Sequence, residues 1–224
     1  MASSKHVDKL IQFIHSNGIA VSTSVTHGYK HMGATLSDAI LQAGLNYNTV
    51  VRPRVLRLLH HFPQAKTTSQ FLDLVDEFGA AYLLNWKHPE KPTRLTAIAN
   101  FFYVRSIETE NCLRDWLQSP DNAMHLESIR GVGPKTVDYL KMLTGIPSVA
   151  VDRHIKAFVQ RAGFKSDNYT AIRKVVEDAA DQLRVHRTNL DYAIWVHVSQ
   201  TRVSSSSPQC SSTFPSCCSD HELA

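Results

Sequence analysis

The chain has 224 residues, 43% of them hydrophobic, which is enough to bury a core as one large domain or two small interleaved ones. Lys+Arg 24 against Asp+Glu 20 gives +4, with 12 His that add charge below neutral pH, a balance that permits an anionic partner without requiring one. No apolar run reaches the length of a membrane span, and four cysteines, three of them in the last fifteen residues, do not make a disulfide framework. The N-terminal stretch MASSKHVDKLIQFIHSNG is amphipathic rather than secretory, so a soluble intracellular protein is expected.

Residues 5–17 place Val7, Leu10, Ile11 and Ile14 on one helical face, closed by Gly18. Residues 19–33 have no helical period and read as a connecting loop. Helices are then predicted over 36–45, 52–62, 70–78 (capped by Thr67 or Thr68) and 80–86. They continue over 93–106, 109–118, 124–129, 135–145, 152–163, 169–183 and 190–200, with Pro63, Gly79, Pro89, Pro92 and Pro120 marking breaks. Strand candidates are few and short. The predicted fold class is therefore all-α, with ten or more helices and short connections.

Cys112, alone in its helix, reads as a small buried hydrophobe. Residues 204–224, SSSSPQCSSTFPSCCSDHELA, are serine-rich, lack Lys and Arg and read as a disordered tail. Cys210, Cys217 and Cys218 complete no four-ligand spacing, so neither a metal nor a cofactor is expected.

The stretch with most chemistry is LESIRGVGPKTVDYLKMLTGIPSVAVDRHI, residues 126–155. Gly131-Val132-Gly133 separates an apolar helix end (Leu126, Ile129) from a helix that starts at Pro134 or Lys135. Glycine suits a sharp turn or a close backbone approach, and proline suits a helix's first turn. The free amides there make a seat for a phosphate oxygen, so a helix–hairpin–helix grips a nucleic-acid backbone without reading its sequence. Lys135 on its own reads as a phosphate contact. Seventeen residues later, the run Val149–Val151 delivers Asp152 to the head of another helix. Asp is a preferred N-cap, and a capping carboxylate is rigidly held, as a catalytic one must be.

On Leu126, Gly131, Val132, Gly133, Lys135 and Thr136, then Val151-Asp152 with His154, the chain resembles the helix–hairpin–helix base-excision DNA glycosylases of the endonuclease III type. The helical pattern matches more loosely from about Thr35 to Gln200. The resemblance implies two interleaved helical domains with a cleft between them. Residues 1–34 would pack with a C-terminal helical domain, 151–203, and residues 35–150 would hold the hairpin.

The resemblance further implies that Lys135 is an amine nucleophile, Asp152 the essential carboxylate and the hairpin amides a phosphate seat. Lysine at position 135 points to a bifunctional glycosylase and abasic-site lyase. An extruded nucleotide is attacked at C1′ by the amine, and the Schiff base permits β-elimination of the 3′ phosphate. Setting Lys135 at the positive end of a helix dipole disfavours its ammonium, while Asp152 shuttles the proton and stabilises the sugar cation. The family's four-cysteine iron–sulfur run is missing here. Gln42, Asn46 or Tyr47 would wedge into the duplex, although Gln42 and Asn46 also read as surface or capping residues. Arg130, Arg153 and Lys156 flank the motif and would meet the backbone, His154 reads as a hydrogen-bonding support or a phosphate contact, and Arg52, Arg54 and Arg57 could line the DNA but more commonly read as a solvated face. The expected partner is double-stranded DNA carrying a damaged or mismatched base, an oxidised pyrimidine first, and the protein is expected to act as a monomer without a membrane. Two other readings use the same residues: a non-catalytic DNA-binding module, and a glycosylase that employs Asp152 and water.

Overall fold

The computed structural model describes residues 4–24, 28–42 and 44–204. Among them are twelve α-helices, a π-helical turn and no strand. The helices are α1 Ser4–Ser16, α2 Met32–Leu41, α3 Arg52–His61, α4 Thr68–Phe78, α5 Ala80–Leu83 and α6 Glu90–Tyr103. They continue as α7 Glu110–Leu117, α8 Pro120–Glu127, α9 Pro134–Leu143, α10 Arg153–Arg161, α11 Tyr169–Leu183 and α12 Arg187–Ser204. The π turn, Tyr47–Val51, runs directly into α3. None of these helices is long and apolar enough to cross a membrane. The serine-rich tail from residue 205, with Cys210, Cys217 and Cys218, lies outside the described residues.

The buried apolar side chains gather into two clusters. One is built on α2, whose residues are all buried and which packs against α3, α4, α6 and α9. A helix covered on every side is a core helix, and its composition, MGATLSDAIL, is small and apolar enough to be surrounded. The second joins Val7, Leu10 and Ile14 of α1 to α10, α11 and α12 through Ile155, Phe158, Val175 and Ile194. The first helix of the chain thus packs beside the last ones, with α1 lying against α11.

Three local expectations are corrected. Helix α2 begins at Met32, inside what reads as loop, because His31 caps it: its Nδ1 accepts the Ala34 amide at 3.0 Å while Nε2 donates to Phe62 O at 2.8 Å. Gly33, which looks like a helix breaker, is needed there, since a Cβ would lie 2.6 Å from the Phe71 ring. Pro120 opens α8 rather than leading up to it, as proline in a first helical turn can. Cys112 is exposed rather than buried, because the inward face of α7 is taken by Leu113 and Leu117. Its Sγ accepts the Thr109 hydroxyl at 3.2 Å, which lowers the thiol pKa.

A candidate active-site cleft between α9, α10 and α12

Lys135 stands in the first turn of α9. The chain enters that helix from α8 through residues 128–133, where Gly131 adopts φ +84, a left-handed conformation that favours glycine. Gly133 is different: it is extended, and a Cβ there would meet nothing within 4 Å. Gly133 caps α9 with no side chain, and Val132 bonds back to Ile129 O at 2.9 Å. Among the described residues the amides of Gly131, Gly133 and Lys135 have no hydrogen-bond partner. They form the turn's open donor set. Arg94 braces the turn from α6, its Nε donating to Arg130 O at 3.2 Å.

Asp152 caps α10, as its position predicts. Its Oδ1 accepts the amides of His154 and Ile155 at 2.8 and 2.9 Å, and Oδ2 accepts His154 Nδ1–H at 3.0 Å. Both carboxylate oxygens are therefore fixed. The imidazole of His154 meets the Trp195 ring of α12 edge-on at 6.5 Å.

What holds these two residues in register is a buried polar lattice. Asp138, one turn beyond Lys135, accepts Ser148 Oγ at 3.0 Å, Tyr169 OH at 2.8 Å and Arg173 Nη1 at 2.9 Å. Asp191 of α12 accepts the Ala150 amide at 3.0 Å. The segment 148–152 is thus pinned to α9, α11 and α12 before it reaches Asp152.

Lys135 and Asp152 line one cleft of about 1280 Å³. Burial lowers the Lys135 ammonium pKa, and Arg153 adds to that, while Asp152 and Asp191 oppose it. Among the described residues Lys135 Nζ makes no hydrogen bond and no ion pair. Asp191 lines the same cleft, and its carboxyl is pushed well above the ordinary range, chiefly by burial and then by the Asp152 charge. Tyr29, Tyr139, Tyr192 and Trp195 supply aromatic walls. Tyr192 stacks on Trp195 at 6.1 Å, and Tyr47 meets the same indole edge-on at 6.2 Å.

The remaining candidates divide. Gln42 lines the cleft as the C-cap of α2, and its Oε1 is buried with no partner among the described residues. Asn46 is exposed and caps the π turn by accepting the Thr49 amide at 3.0 Å. Tyr47 and Arg52 also reach the cleft. Arg54 and Arg57 do not: Arg54 bonds Val50 O and Asn85 O over Trp86, and Arg57 bonds Tyr82 O and Leu83 O over Tyr82. Arg130 and Arg153 are exposed, Lys156 pairs with Asp167 at 2.7 Å, and Val132, Thr136 and His154 are buried. Among the described residues no group of His, Cys, Asp and Glu is placed to hold a metal.

Residues 9–199 match the family described as a domain of unknown function, DUF8548. The chain belongs to this family. A search of curated proteins finds no match. The DUF8548 region takes in α8 through α10 and every residue that lines the cleft except Gln200. Within this DUF8548 chain, sequence reasoning missed Asp191, Tyr29, Tyr139 and the Tyr192–Trp195 pair. Only the last left a signal, two aromatics three residues apart on one helix face.

Proposed function

We propose that the protein is a base-excision DNA glycosylase with abasic-site lyase activity, acting on double-stranded DNA that carries a damaged or mismatched base. The single observation that carries this reading is that Lys135 and Asp152 line one cleft, the first with its ammonium disfavoured by burial and the second fixed as a helix cap. An amine with a lowered pKa beside a rigid carboxylate suits Schiff-base chemistry on a sugar C1′.

In this reading α8, the glycine turn and α9 form a helix–hairpin–helix, and the unpartnered amides of Gly131, Gly133 and Lys135 hold a phosphate. The two apolar clusters correspond to two helical domains, with α1 belonging to the C-terminal one. The extruded nucleotide enters between the aromatic walls, Gln42 and Tyr47 contact the opened duplex, and Arg130 and Arg153 meet the backbone. Lys135 attacks C1′ as its proton passes to a carboxylate, the base leaves, and the resulting Schiff base acidifies C2′ so that the 3′ phosphate is eliminated.

The test is incubation with a duplex holding one abasic site, followed by denaturing gel analysis. The β-elimination product is expected from the wild type and not from Lys135→Ala. An intact strand with the wild type, despite binding, overturns the lyase reading, and a panel of single-lesion duplexes then identifies the excised base.

A further inference from the structure

The chemistry above leaves open what the α2–α9 side of the cleft selects. The two helices pack together, and each brings a pair of polar residues one turn apart: Asp38 with the cap Gln42 on α2, and Lys135 with Tyr139 on α9. Asp38 is fully buried and accepts the Tyr29 hydroxyl at 2.7 Å and the Tyr139 hydroxyl at 3.3 Å. The Tyr47 hydroxyl lies beside that of Tyr29. Tyr29, Gln42, Tyr47 and Tyr139 all line the cleft, with Asp38 behind them.

A carboxylate only accepts, so a hydroxyl bonded to it must point its proton at it. Asp38 therefore draws the Tyr29 and Tyr139 protons inward, and the Tyr47 hydroxyl can donate onto the Tyr29 oxygen in turn. What these rings keep for a ligand is oxygen lone pairs. Gln42 adds a further acceptor, since its Oε1 is buried with no partner among the described residues. An acceptor left unmet away from water is costly, and an N–H of the ligand removes that cost. The exposed Arg52, beside Tyr47, belongs to the mouth of the cleft.

We propose that this wall is a base-recognition edge made of acceptors and ordered by Asp38, and that it selects a guanine-derived base over one of the thymine or uracil type. The pairing edge of guanine presents two adjacent donors, N1–H and the N2 amino group, beside one carbonyl, and oxidation at C8 leaves that edge intact. Thymine and uracil present the reverse, a single N3–H between two carbonyls that would face lone pairs with no proton between them. The oxidised pyrimidine that the resemblance puts first is thus the poorer fit. Asp38 acts through the tyrosines and is a positioning residue. The inference deepens the glycosylase reading and rests on it for the entry of the nucleotide, but the edge itself is measurable without DNA.

Saturation-transfer NMR on the full chain with deoxyguanosine and with thymidine, at about pH 8 where Asp38 is ionised, reads the edge. Deoxyguanosine is expected to bind about tenfold tighter than thymidine, the scale of one bidentate contact to a base edge. In Asp38→Asn the introduced amide donates where the carboxylate accepted, so at least one hydroxyl proton turns into the cleft. Thymidine is then expected to bind more tightly and deoxyguanosine less, which brings the two within about threefold. A wild type that binds thymidine as tightly as deoxyguanosine, or binds neither, overturns the proposal whatever the variant does. So does a variant that keeps the full preference, or one that loses both nucleosides together, as a merely structural Asp38 would make it. Selective deoxyguanosine binding with no reaction on abasic DNA supports the edge and removes the lyase reading. Reaction on abasic DNA without that selectivity does the opposite, so the two fail separately.

Discussion

Asp138 Oδ1 lies 3.0 Å from Ser148 Oγ, and this contact joins the helix that carries Lys135 to the segment that ends in Asp152. The same carboxylate takes Tyr169 OH and Arg173, so one buried acid fixes α9, the 148–152 segment and α11 together. Asp138→Ala leaves a partly buried guanidinium and two hydroxyls, those of Ser148 and Tyr169, without their acceptor. It is expected to destabilise the fold by ~3–5 kcal/mol, the range for breaking a buried pair on one side. Urea denaturation at neutral pH checks this, and a loss under about 1 kcal/mol would remove Asp138 from its central place.

Asp38 gives a pH dependence whose direction is fixed. Burial raises its carboxyl from 3.8 to about 6, although the Tyr29 and Tyr139 hydroxyls pull it down. The folded protein therefore holds this proton more tightly than the unfolded chain. The stability that Asp38 contributes is complete below about pH 4 and is lost as pH rises through about 6. At about 1.4 kcal/mol per pH unit, the loss reaches ~3 kcal/mol by neutral pH. Asp38→Asn is expected to gain that much relative to the wild type between about pH 4 and 8, read from urea midpoints. A stability difference between the two that does not vary with pH contradicts it.

Glu110 holds the loop that leads into α2. Its carboxylate accepts the amides of Tyr29, Lys30 and His31 at 3.0, 3.0 and 3.3 Å and also takes the Thr35 hydroxyl. Gly28 is required beside it, at φ +78, where a Cβ would sit 2.4 Å from Glu110 Oε2. Glu110→Ala is expected to cost ~2–3 kcal/mol by leaving these donors unmet. Hydrogen exchange should show the Tyr29, Lys30 and His31 amides losing protection first, and unchanged protection there would refute the role.

Tyr192 is 62% exposed and stacks on Trp195 at the cleft, so it can be removed without opening the core. Base stacking on an aromatic side chain is worth ~1–3 kcal/mol. Tyr192→Ala is expected to weaken binding to an abasic or lesion-bearing duplex by about tenfold or more, with undamaged DNA less affected. Fluorescence anisotropy at fixed salt measures it. Equal binding by the variant and the wild type would take Tyr192 out of the interface.

Much of the helical order was legible because periodicity, proline and glycine all acted locally. Asp152 could be read as a cap for the same reason: its partners, His154 and Ile155, are its neighbours in sequence. The start of α2 was hidden because a histidine supplies the cap and because the need for Gly33 comes from Phe71, a residue far along the chain. Asp191 was invisible on the same grounds. Its meaning depends on Ala150, Lys135 and Asp152 arriving beside it in space, and nothing in LDYAIW marks the acid as buried. Cys112 misled because an isolated cysteine is usually buried, whereas here two leucines already fill the inward face of its helix.

The most direct measurement of Lys135 as a nucleophile is borohydride reduction of the protein mixed with a duplex holding one abasic site. A covalent protein–DNA adduct is expected with the wild type. Peptide mapping should place it on Lys135, and Lys135→Ala should form none while still binding DNA. Tight binding by the wild type with no adduct, or an adduct of equal yield in Lys135→Ala, would contradict it.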